Sequence, residues 1–83
     1  MHKIFTIIVT YNGERWIKKN ITSIFNSTIK QNLIIIDNGS TDDTIKIIDE
    51  LIKDNNYKIE VIKNKKNLGF GKANNIGFKI ILN

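Results

Sequence analysis

Leu33-Ile34-Ile35-Ile36, followed at once by Asp37-Asn38-Gly39-Ser40, decides the fold of this chain. Four large aliphatic residues in a row leave no polar face, and turn-forming residues close the run. That pattern reads as a strand buried on both faces, as in parallel sheets covered by helices on each side. Upstream, Ile4-Phe5-Thr6-Ile7-Ile8-Val9 is a second β-branched and aromatic run and reads the same way. Gly13 breaks it. Trp16, Ile17, Ile21, Ile24 and Phe25 then recur at helical spacing, with Arg15, Lys18, Lys19 and Asn20 largely between them, predicting an amphipathic helix from about Glu14 to Ser27.

Downstream, Ser40-Thr41-Asp42-Asp43 resembles a capping box, with Ser40 as N-cap and Asp43 three residues on. The stripe Ile45, Ile48, Leu51, Ile52 carries a second helix to about Asp54, and Asn55-Asn56 closes it. Ile59 to Ile62 is a third, shorter strand, followed by a polar loop from Lys63 to Gly69. Phe70, Ala73, Gly77, Ile80 and Ile81 trace a third helix to the end of the chain. Strand and helix alternate three times, so the expected fold class is α/β: three β-α repeats with a parallel sheet and right-handed crossovers.

The 83 residues suit a single small domain, expected to span 1–83, with 41% hydrophobic and 25% charged residues. This composition argues against disorder. The absence of cysteine excludes a disulfide framework and a thiolate metal site, and it fits a reducing compartment. The apolar run Ile4 to Val9 is too short for a secretory core or a membrane span. The net charge is +5 and the pI about 9.6, with a local cluster at Lys63, Lys65 and Lys66. No aromatic ladder or nucleic-acid motif accompanies the lysines, so no nucleic-acid partner is expected.

In parallel α/β sheets, ligands gather at the carboxyl ends of the strands. Three turns should therefore share one edge: Thr10 to Gly13, Asp37 to Ser40, and Asn64 to Gly71. A carboxylate at Asp37 can accept hydrogen bonds from a base or a ribose, or it can brace its own turn. Tyr11 can stack on a base or stand as a rim aromatic. Asp42-Asp43 looks like a metal-binding pair, but its place in the first turn of a helix favours capping. Gly69-x-Gly71 can let a backbone approach a diphosphate at a helix N-terminus, although it is not the G-x-G-x-x-G fingerprint. Lys66 and Lys72 can offset phosphate charge or simply be solvated.

Ile7-Ile8-Val9-Thr10-Tyr11-Asn12, Ile35-Ile36-Asp37-Asn38-Gly39-Ser40-Thr41-Asp42 and Asn67-x-Gly69-x-Gly71-x-Ala73-x-Asn75-x-Gly77 occur in this order over almost the whole chain. Together they resemble the N-terminal, Rossmann-like nucleotide-binding half of a family 2 glycosyltransferase, an inverting enzyme of GT-A fold. Asn-Leu-Gly-Phe-Gly is nearest in flavour to the rhamnosyltransferase-like branch. The resemblance implies a nucleotide diphosphate sugar as partner. It implies nucleotide-binding roles for Thr10, Tyr11, Asn12, Asp37, Asn67, Gly69 and Asn75. It further implies cell-surface polysaccharide synthesis in the cytoplasm, with peripheral association of the full-length enzyme at the inner face of the membrane.

The same resemblance implies a D-x-D motif, holding Mg or Mn on the donor diphosphate, and a carboxylate base further on. No Asp or Glu follows Glu60. Neither metal ligands nor a base are assigned to any residue here, and no cofactor is expected on this chain. The expectation is an incomplete domain, the donor-binding half, inactive alone. The alternative is a non-catalytic α/β module for nucleotide binding or self-assembly. In the family's sheet the first strand is central and pairs on its far side with a later strand. Without that strand, Ile4 to Val9 presents an apolar edge expected to self-associate.

Overall fold

The structure is a computed structural model and describes residues 4–28 and 30–82. The elements alternate as expected: β1 (Phe5–Thr10), α1 (Ile17–Phe25), β2 (Asn32–Asp37), α2 (Thr44–Asn55), β3 (Ile59–Lys63) and α3 (Phe70–Leu82). The strands form one parallel sheet in the order β1-β2-β3. Thr10 lies beside Asp37, and Asp37 beside Lys63, so all three strands end level at one edge.

The two-residue period of the strands divides the core in two. Leu33 and Ile35 face α1 and α2, where they pack with Ile17, Ile21, Ile48 and Leu51. Ile34 and Ile36 face the other way, onto Ala73 of α3. Side chains of this size contribute about 1.5–3 kcal/mol each when fully buried, so the fully enclosed Ile35 and Ile36 anchor the two layers. Stacking of Phe25 on Tyr57, with ring centroids 4.0 Å apart, ties the end of α1 to the approach of β3. Two right-handed crossovers in one direction put α1 and α2 on one face. With α3 on the opposite face, the chain turns back over β2 and β1.

Three expectations are corrected. β1 is only partly buried along most of its length, because β2 is its sole neighbour among the described residues. The first helix begins at Ile17 rather than Glu14. The Gly13 carbonyl accepts the amides of both Trp16 and Ile17, so residues 14–16 form a turn. Ser40 is not an N-cap: α2 starts at Thr44, with Asp43 in the capping position and no side-chain cap bond from it. Ser40 turns instead to Asp37 and Asn12, and this draws residues 40–43 out of the helix. No helix is long and apolar enough to cross a membrane among the described residues.

Candidate functional site

The level ends of the strands bring the three turns together at the carboxyl edge, and side chains at the strand ends lace them. Asn12, with a φ of 50°, inserts its side chain into the second turn. Its Oδ1 accepts the Thr41 amide at 2.8 Å, and its own amide donates to Ser40 Oγ at 2.9 Å. The Gly13 amide donates to Thr44 Oγ1 at 2.9 Å. Glu14 and Asp42 then exchange bonds across the two turns: the Glu14 amide donates to Asp42 Oδ2, and the Asp43 amide to Glu14 Oε2.

Asn38 performs the same service between the second turn and the third. The alternation that sends Asp37 toward α2 sends Asn38 toward α3. Its amide donates to the Thr10 carbonyl at 2.8 Å. Its Oδ1 accepts Asn64 Nδ2 at 2.9 Å, and its Nδ2 donates to the Gly69 carbonyl at 3.3 Å. Asn67 Oδ1 accepts the Gly69 amide, shaping the last step into α3. Asn38 and Asn64 were not singled out from the sequence. The strict alternation Ile34, Ile36, Asn38 is the signal that points Asn38 at the third turn.

The residues expected at a binding site fall into different environments. Tyr11 stands at the edge, 48% exposed. Asp37 is 2% exposed, and its carboxylate accepts the amide and hydroxyl of Ser40, so the brace for its own turn is present. Thr10 is internal: its carbonyl takes the Asn38 amide, and its buried hydroxyl lies beneath Gly13. Asn12 is occupied as a clamp. Asn67 and Gly69 are exposed at the start of α3, and a side chain built on Gly69 or Gly71 would meet nothing within 4 Å. Asn75 lies apart from the cluster, on the side of α3 opposite the buried Ala73 and Gly77.

Three carboxylates of the cluster serve the turns themselves. No group of three potential ligands comes together among the described residues. Asp37 accepts the Ser40 amide of its own turn, Asp42 the Thr44 amide beside it and the Glu14 amide of the first turn, and Glu14 the Asp43 amide of the second. Asp42 shows the electrostatic consequence. Partial desolvation raises its carboxyl, but hydrogen bonds from the Thr44 hydroxyl and amide and the Glu14 amide outweigh it and hold the group below its usual range. A carboxyl lowered by folding contributes stability above its unfolded value, and that contribution disappears as pH falls through the folded value. The stability gap between the parent chain and Asp42→Asn should therefore be present at neutral pH and close in the acid range below pH ~4. Urea unfolding at a series of pH values measures it, and a gap independent of pH would remove the assigned role of the Asp42 charge.

A separate groove of about 620 Å³ opens at the amino-terminal edge, lined by Phe5, Ile34, Tyr57, Glu60 and Ile80 among others. It lies at the opposite end of the strands from the turn cluster. The cluster is the better site, because polar groups and an open helix start converge there.

The family model described as Glycosyl transferase family 2 matches residues 5–82. No curated protein matches the chain.

Proposed function

Because the chain belongs to glycosyl transferase family 2, we propose that its carboxyl-edge cluster holds the nucleoside diphosphate of a sugar donor. One observation carries this reading. The three family motifs meet at the carboxyl edge of the Rossmann-like sheet, where the start of α3 is left open at Gly69 and Gly71. The positive end of a thirteen-residue helix favours a diphosphate there. Lys66 and Lys72 flank that start in sequence and add positive charge. Tyr11 supplies an aromatic surface for the base. Asp37 has one carboxylate lone pair per oxygen beyond those engaged by Ser40, available to a base N–H or a ribose hydroxyl. Asn12 and Asn38 act on the ligand indirectly, by fixing the turns that carry these groups.

In this reading the 83 residues are the donor-binding portion of an enzyme that transfers a sugar to an acceptor hydroxyl with inversion. The rhamnosyltransferase-like branch and a role in cell-surface polysaccharide synthesis in the cytoplasm belong to the same proposal. The exposed Arg15, in the turn before α1, and Lys18 and Lys19 on α1 support contact of the enzyme with an anionic membrane face. An inverting displacement needs a deprotonated acceptor and a stabilised leaving diphosphate. No carboxylate follows Glu60, and Glu14, Asp37 and Asp42 at the carboxyl edge are engaged in the turns, so neither a base nor a Mg or Mn site is assigned to these residues.

Calorimetric titration with a panel of nucleoside diphosphates tests the reading. Binding without sugar transfer is the expected result. Asp37→Asn keeps an acceptor for the Ser40 amide but removes the charge. Loss of one charge-assisted hydrogen bond, roughly 1.5–3 kcal/mol, weakens binding about 10–150-fold. Equal affinity in the folded variant would remove Asp37 from the site, and no binding of any diphosphate would overturn the proposal.

A further inference from the structure

The sequence holds two Asn-Gly pairs, Asn12-Gly13 and Asn38-Gly39, and the fold treats them differently. Asparagine before glycine is the pair most prone to cyclise, because the glycine nitrogen reaches the side-chain carbonyl carbon unhindered by a Cβ. We propose that Asn12 is a self-modification site of the folded chain. The Gly13 nitrogen attacks Asn12 Cγ, Nδ2 leaves as ammonia, and water opens the resulting succinimide to aspartate or isoaspartate at position 12.

Two arrangements around this pair serve the reaction. The first surrounds the oxygen that gains charge. Asn12 Oδ1 accepts the Thr41 amide at 2.8 Å, the Asp42 amide at 3.3 Å and the Thr41 hydroxyl at 3.4 Å. Three donors on one carbonyl oxygen polarise Cγ and stabilise the oxyanion formed on attack. The longer two bonds shorten as that charge develops. The second arrangement takes the proton. The Gly13 amide donates to Thr44 Oγ1 at 2.9 Å, and the Thr44 hydroxyl donates to Asp42 Oδ1. As the nitrogen attacks, its proton passes to Thr44 while the Thr44 proton moves toward Asp42. Return of that proton to Nδ2 completes the ammonia, so the relay ends as it began. Thr44 is fully buried, which keeps water from competing for the Gly13 bond.

Asn38 differs in its leaving group and in access. It is buried, and its Nδ2 is held by the Gly69 carbonyl at 3.3 Å. Departure of ammonia there breaks a structural bond, and water has no path to the ring. Asn12 is exposed, and its Nδ2 makes no bond within the protein among the described residues, so ammonia leaves freely and water reaches the succinimide. The two products differ in consequence. Aspartate keeps the acceptor that Thr41 and Asp42 use. Isoaspartate carries the main chain through the former side chain, which removes the clamp and frees the first turn from the second.

Peptide mapping by mass spectrometry follows both pairs in one sample of the 83-residue chain incubated at neutral pH. In the folded chain Asn12 should convert about tenfold or more faster than Asn38, and about tenfold or more faster than Asn12 itself does in urea. In urea the two pairs should react alike. Thr44→Val and Asp42→Asn, with folding checked by circular dichroism, should slow Asn12 by about tenfold or more, whereas Thr44→Ser, which retains the hydroxyl, should not. The comparison of folded and unfolded parent chain decides the matter even where a variant does not fold. Slower conversion of Asn12 in the folded chain than in urea would overturn the proposal, by showing that the clamp protects the amide. So would a rate in folded Thr44→Val and Asp42→Asn equal to that of the parent. No nucleotide enters these measurements, so the donor-site reading stands or falls separately.

Discussion

Replacing Asn38 by leucine is expected to cost about 2–4 kcal/mol of stability and to loosen the start of α3, although the volume hardly changes. Asn38 is 2% exposed, and its side chain holds Asn64 Nδ2 and the Gly69 carbonyl. Leucine leaves both without their partner. An unsatisfied buried donor or acceptor costs about 1–3 kcal/mol, more than the net worth of the bond that was lost. The Gly69 carbonyl can recover part of this from water, since Gly69 is exposed, whereas Asn64 is half-buried and recovers less. For a domain of this size, 1 kcal/mol moves the melting temperature by about 4–8 °C, so a fall of roughly 10–25 °C is expected by circular dichroism. Hydrogen exchange should accelerate first in residues 64–72. Asn67→Ala removes an acceptor from the same turn at an exposed position and should cost under ~1 kcal/mol. Similar melting temperatures for the two variants would show that burial of Asn38 does not set its importance.

That contrast marks where the sequence is readable. The element order, the parallel sheet and the meeting of three turns at one edge all follow from short apolar runs, a helical stripe and turn residues, which are local signals. β2 reads correctly as doubly buried because strands lie on both its sides and helices on both its faces. β1 carries the same kind of run and is only partly buried, because burial depends on a neighbour across the sheet as well as on the residue types. The capping box at Ser40 fails for a related reason. Ser40 has two partners outside the local helix frame, Asp37 and Asn12, the second 28 residues away. Thr10 and Asn12 are legible as strand-end residues, but their hydrogen bonds to the second turn arise only when β1 and β2 pair in register. Asp37 keeps both meanings weighed from the sequence, a brace for its turn and a carboxylate at the edge.

Valine at Gly39 should be the most damaging single change in the turn cluster, and comparison with Gly69 separates its two causes. Both glycines hold a φ of +83°, a left-handed conformation that costs an ordinary side chain roughly 1–2 kcal/mol, and a β-branched one more. Gly69→Val pays mainly this conformational term, because nothing stands within 4 Å of its added Cβ. At Gly39 the added Cβ lies 3.0 Å from Lys66 Cα, with Lys66 N and C at 3.2 Å. Those are backbone atoms, so relief requires the third turn to move as a whole, against the bonds that Asn38 makes to Asn64 and Gly69. Overpacking of that kind adds about 1–3 kcal/mol. Gly39→Val should therefore lose about 3–5 kcal/mol, enough to leave a domain of marginal stability largely unfolded at room temperature. Gly69→Val should remain folded, with a loss of about 2–3 kcal/mol, the conformational term of a β-branched residue alone. Gly39→Ala should fall between them, since it has the φ and the contact but lacks the branched side chain. Urea unfolding of the three variants gives the order directly. Equal losses at Gly39 and Gly69 would mean that the approach of Lys66 carries no energy and that the second and third turns are held together by Asn38 alone.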